Sequence, residues 1–180
     1  VIIGAGTVAS NLLDAYRARF PEARFSIWNR SSERAQALAK TRPDARSVTD
    51  LKAAIGSADI ICTSTMSTSP VLQGSWLQEG QHVDLIGAYR PDMREADDQA
   101  LQRARVFVDS FDTTLDHIGE LKIPLSSGAL RRTDVQADYY SERGFQRGSE
   151  RDITLFKNGG GAHLDLMTAR YILQQWSSAA

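Results

Sequence analysis

"VIIGAGTVAS", residues 1–10, opens the chain. Val1-Ile2-Ile3 is a short apolar run that stops at Gly4, and Gly4, Gly6 and Ala9 then fall at the spacing of a dinucleotide-binding turn. Gly4 allows the tight turn. Gly6 lets the backbone approach a pyrophosphate that a β-carbon would strike. Ala9 is small enough for the following helix to lie close to the first strand. The pyrophosphate then sits on the helix N-terminus, where free N–H groups and the dipole favour negative charge. Gly4, Ala5, Gly6, Thr7 and Val8 are therefore candidate cofactor contacts. The pattern alone also fits a plain glycine turn. Its setting favours the cofactor, because it follows a strand, opens a helix and leads to a second strand at the right distance.

Outward from that turn the chain alternates. Val8, Leu12, Leu13, Tyr16 and Phe20 repeat close to a helical period, and Pro21 ends that helix. "FSIW" (25–28) reads as a strand, and "SERAQALAK" (32–40) as a helix entered through Ser31 or Ser32. "ARSV" is a short strand, and Thr49 or Asp50 caps the helix after it. Asp59–Cys62 in "ADIICTST", then "QHVDLIGA" and "ARVFVDS", complete six strands, and "MREADDQALQRA" reads as a helix with its charge on the outer face. Strand and helix in alternation predict an α/β fold: a Rossmann-like, doubly wound, mostly parallel sheet with the ligand at its switch point. From about Phe111 no further βα unit is evident. "DITLFKNGGG" reads as a strand running into a glycine-rich turn, and "AHLDLMTARYILQQW" as a helix. Leu164, Met167, Ala169, Ile172, Leu173 and Trp176 supply most of a buried stripe on that helix.

Composition excludes more than it selects. The 180 residues are 42% hydrophobic and 24% charged, with 21 basic against 22 acidic side chains and a net charge of -1. No overall field draws the chain to nucleic acid or a membrane surface, and no apolar run nears the roughly 20 residues that span a bilayer. The single cysteine, Cys62, precludes an intrachain disulfide, fits a cytoplasmic location and reads as core packing. His82 and His117 lack partners at metal spacing, so no metal site is expected.

The end of the second strand bears on cofactor choice. The carboxylate that bonds a ribose 2′-hydroxyl is expected roughly 20 residues past the motif, which lands on Asn29 in "WNRSSER". Asn29, Arg30 and Ser31 offer neutral donors and one fixed cation. Such a set binds a 2′-phosphate that a carboxylate would repel. NADP(H) is favoured, with NAD(H) as the alternative. Ser64, Thr65 and Met66 after the fourth strand, and Ile86 and Gly87 after the fifth, lie where the nicotinamide half should sit. Lys157 bonds either a loop or the cofactor.

"GAGTVAS", "SADIICTSTMSTSPVL", "GQHVDLIGAYRPDMREAD" and "DITLFKNGGGAHLDLMTARYI" together resemble the ornithine cyclodeaminase/mu-crystallin family. The resemblance implies a cofactor domain inserted into a second domain built largely from a preceding segment, and a homodimer formed through it. On that basis 1–110 form the core of the cofactor domain and 111–157 its remainder and connection. Residues 158–180 then return to a substrate and dimerisation domain whose first part is absent, so the last helix should expose apolar surface. The resemblance is closest to members that reduce cyclic imines of the Δ1-pyrroline-2-carboxylate or Δ1-piperideine-2-carboxylate type. Cyclodeaminase, amino-acid dehydrogenase and NADPH-dependent ligand-binding roles are the alternatives. It also implies that Asp165, after Gly159-Gly160-Gly161, is the catalytic carboxylate, with His163 and Gly160 as candidate substrate contacts.

Overall fold

The computed structural model describes residues 1–142 and 144–179. One sheet of eight strands runs through it, in the order β3-β2-β1-β4-β5-β8-β6-β7. Its strands are β1 (Ile2–Ile3), β2 (Phe25–Trp28), β3 (Ala45–Ser47), β4 (Ile60–Thr63), β5 (His82–Leu85), β6 (Ala104–Val108), β7 (Val135–Ala137) and β8 (Ile153–Lys157). Every pairing is parallel, and β8 lies between β5 and β6, with His82 opposite Thr154 and Ala104 opposite Ile153. The helices are α1 (Thr7–Arg19), α2 (Ser32–Ala39), α3 (Leu51–Gly56), α4 (Asp98–Arg103), α5 (Phe111–Thr114), α6 (Gly119–Ser127) and α7 (Ala162–Ala179).

The alternation of strand side chains divides the core between the two faces. Ile2, Ile27 and Cys62 pack with Ala9 and Leu13 of α1 and Ala35 of α2. Ile3, Ile61, Val83, Leu85, Val106, Val108 and Leu155 pack on the opposite face with Ile55 of α3 and Leu121 of α6. Central strands buried on both faces read as continuous apolar runs, as "IIC" and "VFV" do. Asp50 caps α3 by accepting from the Ala53 N–H at 2.9 Å. Ser31 is the N-cap of α2, without a side-chain cap bond.

Several expectations need correction. The sheet has eight strands rather than six, because β7 and β8 lie beyond Phe111 and join it. β7 is three residues long, too short to show a periodicity. The helix expected over "MREADDQALQRA" is only α4, Asp98–Arg103, capped by Asp97 accepting from Ala100 N–H at 2.8 Å. Met93–Ala96 run beneath it as buried, irregular chain, and Glu95 is fully buried rather than on an outer face. The stripe expected to be buried on α7 is exposed: Met167, Ile172 and Leu173 face solvent, and Trp176 is 77% exposed. The apolar surface expected along that helix is thus present.

Candidate functional site

Because all the strands are parallel, the segments leaving their C-terminal ends share one edge of the sheet. β1 is flanked by β2 and β4, so the chain reverses its direction of winding there and opens a crevice above the glycine turn. Gly4 adopts φ +130°, and a β-carbon on it would meet Ser64 Oγ at 2.6 Å and the Ser64 carbonyl oxygen at 2.8 Å. The turn is pinned on both sides: Gly4 N–H donates to Trp28 O at 2.8 Å, and Ser64 N–H to Ile3 O at 2.8 Å.

Gly6 differs from Gly4. Its backbone is extended, with φ -96°, and a β-carbon there would have nothing within 4 Å. Neither strain nor packing calls for glycine at that position; open space above the helix start is what its lack of a side chain preserves. The first turn of α1 holds no acidic residue, and Gly6, its N-cap, makes no side-chain cap bond. Those orphan N–H groups suit a diphosphate. The residues present fit a dinucleotide.

The other proposed contacts lie in the segments that leave the C-terminal ends of β2, β4, β5 and β8. Asn29 donates from Nδ2 to Ser31 O at 3.1 Å, and Arg30 is exposed, with no hydrogen bond or ion pair among the described residues. Ser64, Thr65 and Met66 follow β4, with Met66 exposed, and Ile86 and Gly87 follow β5. Gly160 adopts φ +75° in the turn between β8 and α7. His163 and Asp165 both belong to α7's first turn but point differently. The His163 ring packs edge-on against Tyr139, centroids 5.2 Å apart, and its Nε2 is buried without a partner. Asp165 is exposed and accepts no hydrogen bond from the described residues. The two side chains thus have different surroundings, one packed on an aromatic ring and one in solvent.

Four buried charged residues also lie at this edge, and of these the sequence singles out only Lys157. Asp109, completely buried at the end of β6, accepts from Ser110 N–H at 2.9 Å and Thr114 Oγ1 at 2.8 Å, and from Gly159 and Gly161 N–H at 2.8 and 3.3 Å. Glu95 and Glu120 are equally buried, and Glu120 accepts from the N–H groups of Glu95 and Ala96 at 2.7 and 2.9 Å. The fully buried Lys157 bonds a strand rather than a loop: its Nζ donates to the carbonyl of Leu85, the last residue of β5, at 3.1 Å. Burial lowers its pKa, opposed by the carboxylates of Glu120, Glu95, Asp109 and Asp84. The one available signal was position, a carboxylate directly after a buried strand in "VFVDS". No group of metal-binding side chains occurs among the described residues.

Burial also pushes Glu120 up to about 7 from 4.5, and Asp84 to about 6 from 3.8. Between each pair of values the folded state keeps a proton that the unfolded chain has released. The resulting stability is full below the lower value and is lost as pH rises through the upper one. His82, lowered by burial, acts in the opposite direction. The advantage of wild type over Glu120→Gln in urea unfolding should therefore shrink as pH rises from 4.5 through 7. A difference that does not vary with pH would rule out titration of Glu120.

The family model for "Ornithine cyclodeaminase/mu-crystallin family" matches residues 1–180. A Delta(1)-pyrroline-2-carboxylate reductase of Paracoccus denitrificans is 51% identical over 180 residues, covering 96% of this chain and 57% of that protein. The mouse ketimine reductase mu-crystallin is 35% identical over 179 residues, covering 98% of this chain and 55% of that protein. The Thermococcus litoralis Delta(1)-pyrroline-2-carboxylate reductase, solved with NADH and L-proline, superposes with a TM-score of 0.85 at 28% identity, over 94% of this chain and 55% of that one. The chain thus spans a little over half the length of the relatives it matches.

Proposed function

This chain belongs to the ornithine cyclodeaminase/mu-crystallin family, and on that premise we propose that the whole protein uses NAD(P)H to reduce a cyclic imine amino acid of the Δ1-pyrroline-2-carboxylate or Δ1-piperideine-2-carboxylate type. The open cradle at Gly6, beside a turn pinned by Ser64, carries this reading. Likeness to reductases named for that imine supports it. A bound nicotinamide supplies the hydride. The chain's own residues hold the dinucleotide, orient it and manage a proton. Glycine-turn N–H groups take the pyrophosphate, and the segments after β4 and β5 flank the nicotinamide half. Asp165 is the proposed carboxylate beside the imine nitrogen. Glu95 and Asp109 are occupied by backbone N–H groups and Asp92 by Arg90, whereas Asp165 has no partner among the described residues. Residues 1–157 form the cofactor domain in this reading. From 158 the chain returns, through the exposed apolar side of α7, to a substrate domain through which a cytoplasmic homodimer forms.

NADP(H) is the proposed cofactor. Arg30 is the one charged residue in the turn 29–31 after β2, and no carboxylate stands there. Arg30→Ala should weaken NADPH binding by roughly 1.5–3 kcal/mol, the scale of a charge-assisted hydrogen bond, and leave NADH nearly unchanged. Equal losses for both cofactors in titration would remove Arg30 from the 2′-phosphate site. The reductase itself is tested by steady-state oxidation of NADPH and NADH over a panel of cyclic imines. Tight NADPH binding without turnover on any of them would instead favour a ligand-binding role.

A further inference from the structure

The Glu95 carboxylate connects the two segments that flank the nicotinamide half of the site. Its Oε1 accepts from Thr65 N–H at 2.6 Å and from Thr65 Oγ1 at 2.8 Å, in the segment after β4. Its Oε2 accepts from Gly87 and Ala88 N–H at 2.7 and 3.2 Å, in the segment after β5. The junction has no slack, since a β-carbon on Gly87 would lie 2.0 Å from Thr65 O and 2.5 Å from Glu95 Oε1. Glu95 is itself held, because its own N–H and that of Ala96 donate to the buried Glu120 carboxylate. Four charge-assisted bonds fill the lone-pair positions of the carboxylate, two on each oxygen. They fix the spacing of Thr65 and Gly87, which follow the consecutive, paired strands β4 and β5.

We propose that Glu95 is a positioning residue that sets the nicotinamide half of the dinucleotide site by tying Thr65 to Gly87 and Ala88. The inference rests on the dinucleotide reading above. Glu95 does not touch cofactor or substrate; it acts through the two segments. The adenosine and pyrophosphate half rests instead on Gly4, Gly6 and the end of β2, to which Glu95 makes no hydrogen bond. Disturbing Glu95 should therefore affect the two halves unequally.

The test uses the natural full-length protein and compares Glu95→Gln with wild type. Glutamine keeps the shape but turns one acceptor oxygen into an NH2 group, so at least one segment loses its tie in either amide orientation. Affinities are measured for NADPH and NADH, each beside its nicotinamide-free counterpart, 2′-phospho-ADP-ribose or ADP-ribose. The expected result is a loss of tenfold or more for the complete cofactor, with the counterpart changed less than about twofold. Equal losses for both members of a pair, in a variant with wild-type circular dichroism, would overturn the proposal, as would no change in either. If Glu95→Gln does not fold, Glu120→Gln, which loosens the backbone of residues 95–96 from farther away, should show the same selectivity at smaller size. An unchanged ratio there would overturn the proposal as well. Wild-type protein that binds none of the four probes would overturn the dinucleotide reading itself.

Discussion

Changing Asp165 to asparagine is expected to slow imine-dependent NADPH oxidation about 10²–10³-fold, the usual cost of removing one electrostatic group from a reacting centre. NADPH affinity should stay close to wild type. The reasoning starts from charge. As the imine carbon receives hydride, its nitrogen becomes an amine with positive character and needs a fixed anion nearby, together with a route for its proton. Asparagine keeps the size of the side chain but removes both the charge and the capacity to take up and release a proton. In the proposed reading the glycine turn and Arg30 would hold the dinucleotide at the other end of the site, so its affinity should not register the change. Oxidation near the wild-type rate would reduce Asp165 to a first-turn residue complementing the α7 dipole. A parallel fall in rate and affinity would show that the residue helps shape the site rather than act in it.

Asp109→Ala should cost about 3–5 kcal/mol of folding stability, since each buried donor left unpaired costs on the order of 1–3 kcal/mol. The Asp109 carboxylate is the acceptor for Ser110, Thr114, Gly159 and Gly161, and it has no solvent exposure. Some of the loss will be recovered, because the Thr114 hydroxyl can rotate toward another acceptor. Asp109→Asn retains one good acceptor and should lose about half as much. Denaturant midpoints on the two variants, with unchanged m-values, measure this directly. Hydrogen exchange at Gly159 and Gly161 should speed up in the alanine variant before the rest of the sheet does. A loss under about 1 kcal/mol would mean that the turn is held by its own backbone.

What the sequence made legible follows from range. The Gly4-x-Gly6 turn, the start of α1 and the alternation of β1 to β6 depend on neighbours a few residues apart, so period and punctuation exposed them. Counting from the motif reaches Asn29 and Arg30, which directly follow β2. The sequence misplaces Glu95 because "MREADDQALQRA" is locally a good amphipathic helix, whereas residues 93–96 are bound by contacts with Thr65, Gly87, Glu120 and the backbone of Ser67, Val71 and Leu72, each in another part of the chain. Asp109 escaped for the same reason: its partners Gly159 and Gly161 are 50 and 52 residues away. A buried carboxylate that serves distant N–H groups has no local pattern to betray it. The placement of β8 was equally hidden, since nothing in "DITLFKNGGG" distinguishes a central strand from an edge one.

The position of β8 has a consequence for how the sheet is assembled. β5 and β6 follow one another in the chain, yet they do not pair; residues 153–157 must enter between them. As the chain emerges from the ribosome, β1 to β5 can join in order, while β6 and β7 can pair with each other but have nothing to attach to. The two halves wait for a strand made some 50 residues later, and that delay sets a high contact order, which slows folding. In the interval the open flanks of β5 and β6 are unpaired parallel edges, each able to recruit the wrong strand or a neighbouring chain. β8, last in chain order of the eight strands described in this sheet, is thus the one that unites it, and it leads directly into the glycine turn and α7, so this part of the candidate site takes shape only when the sheet is joined.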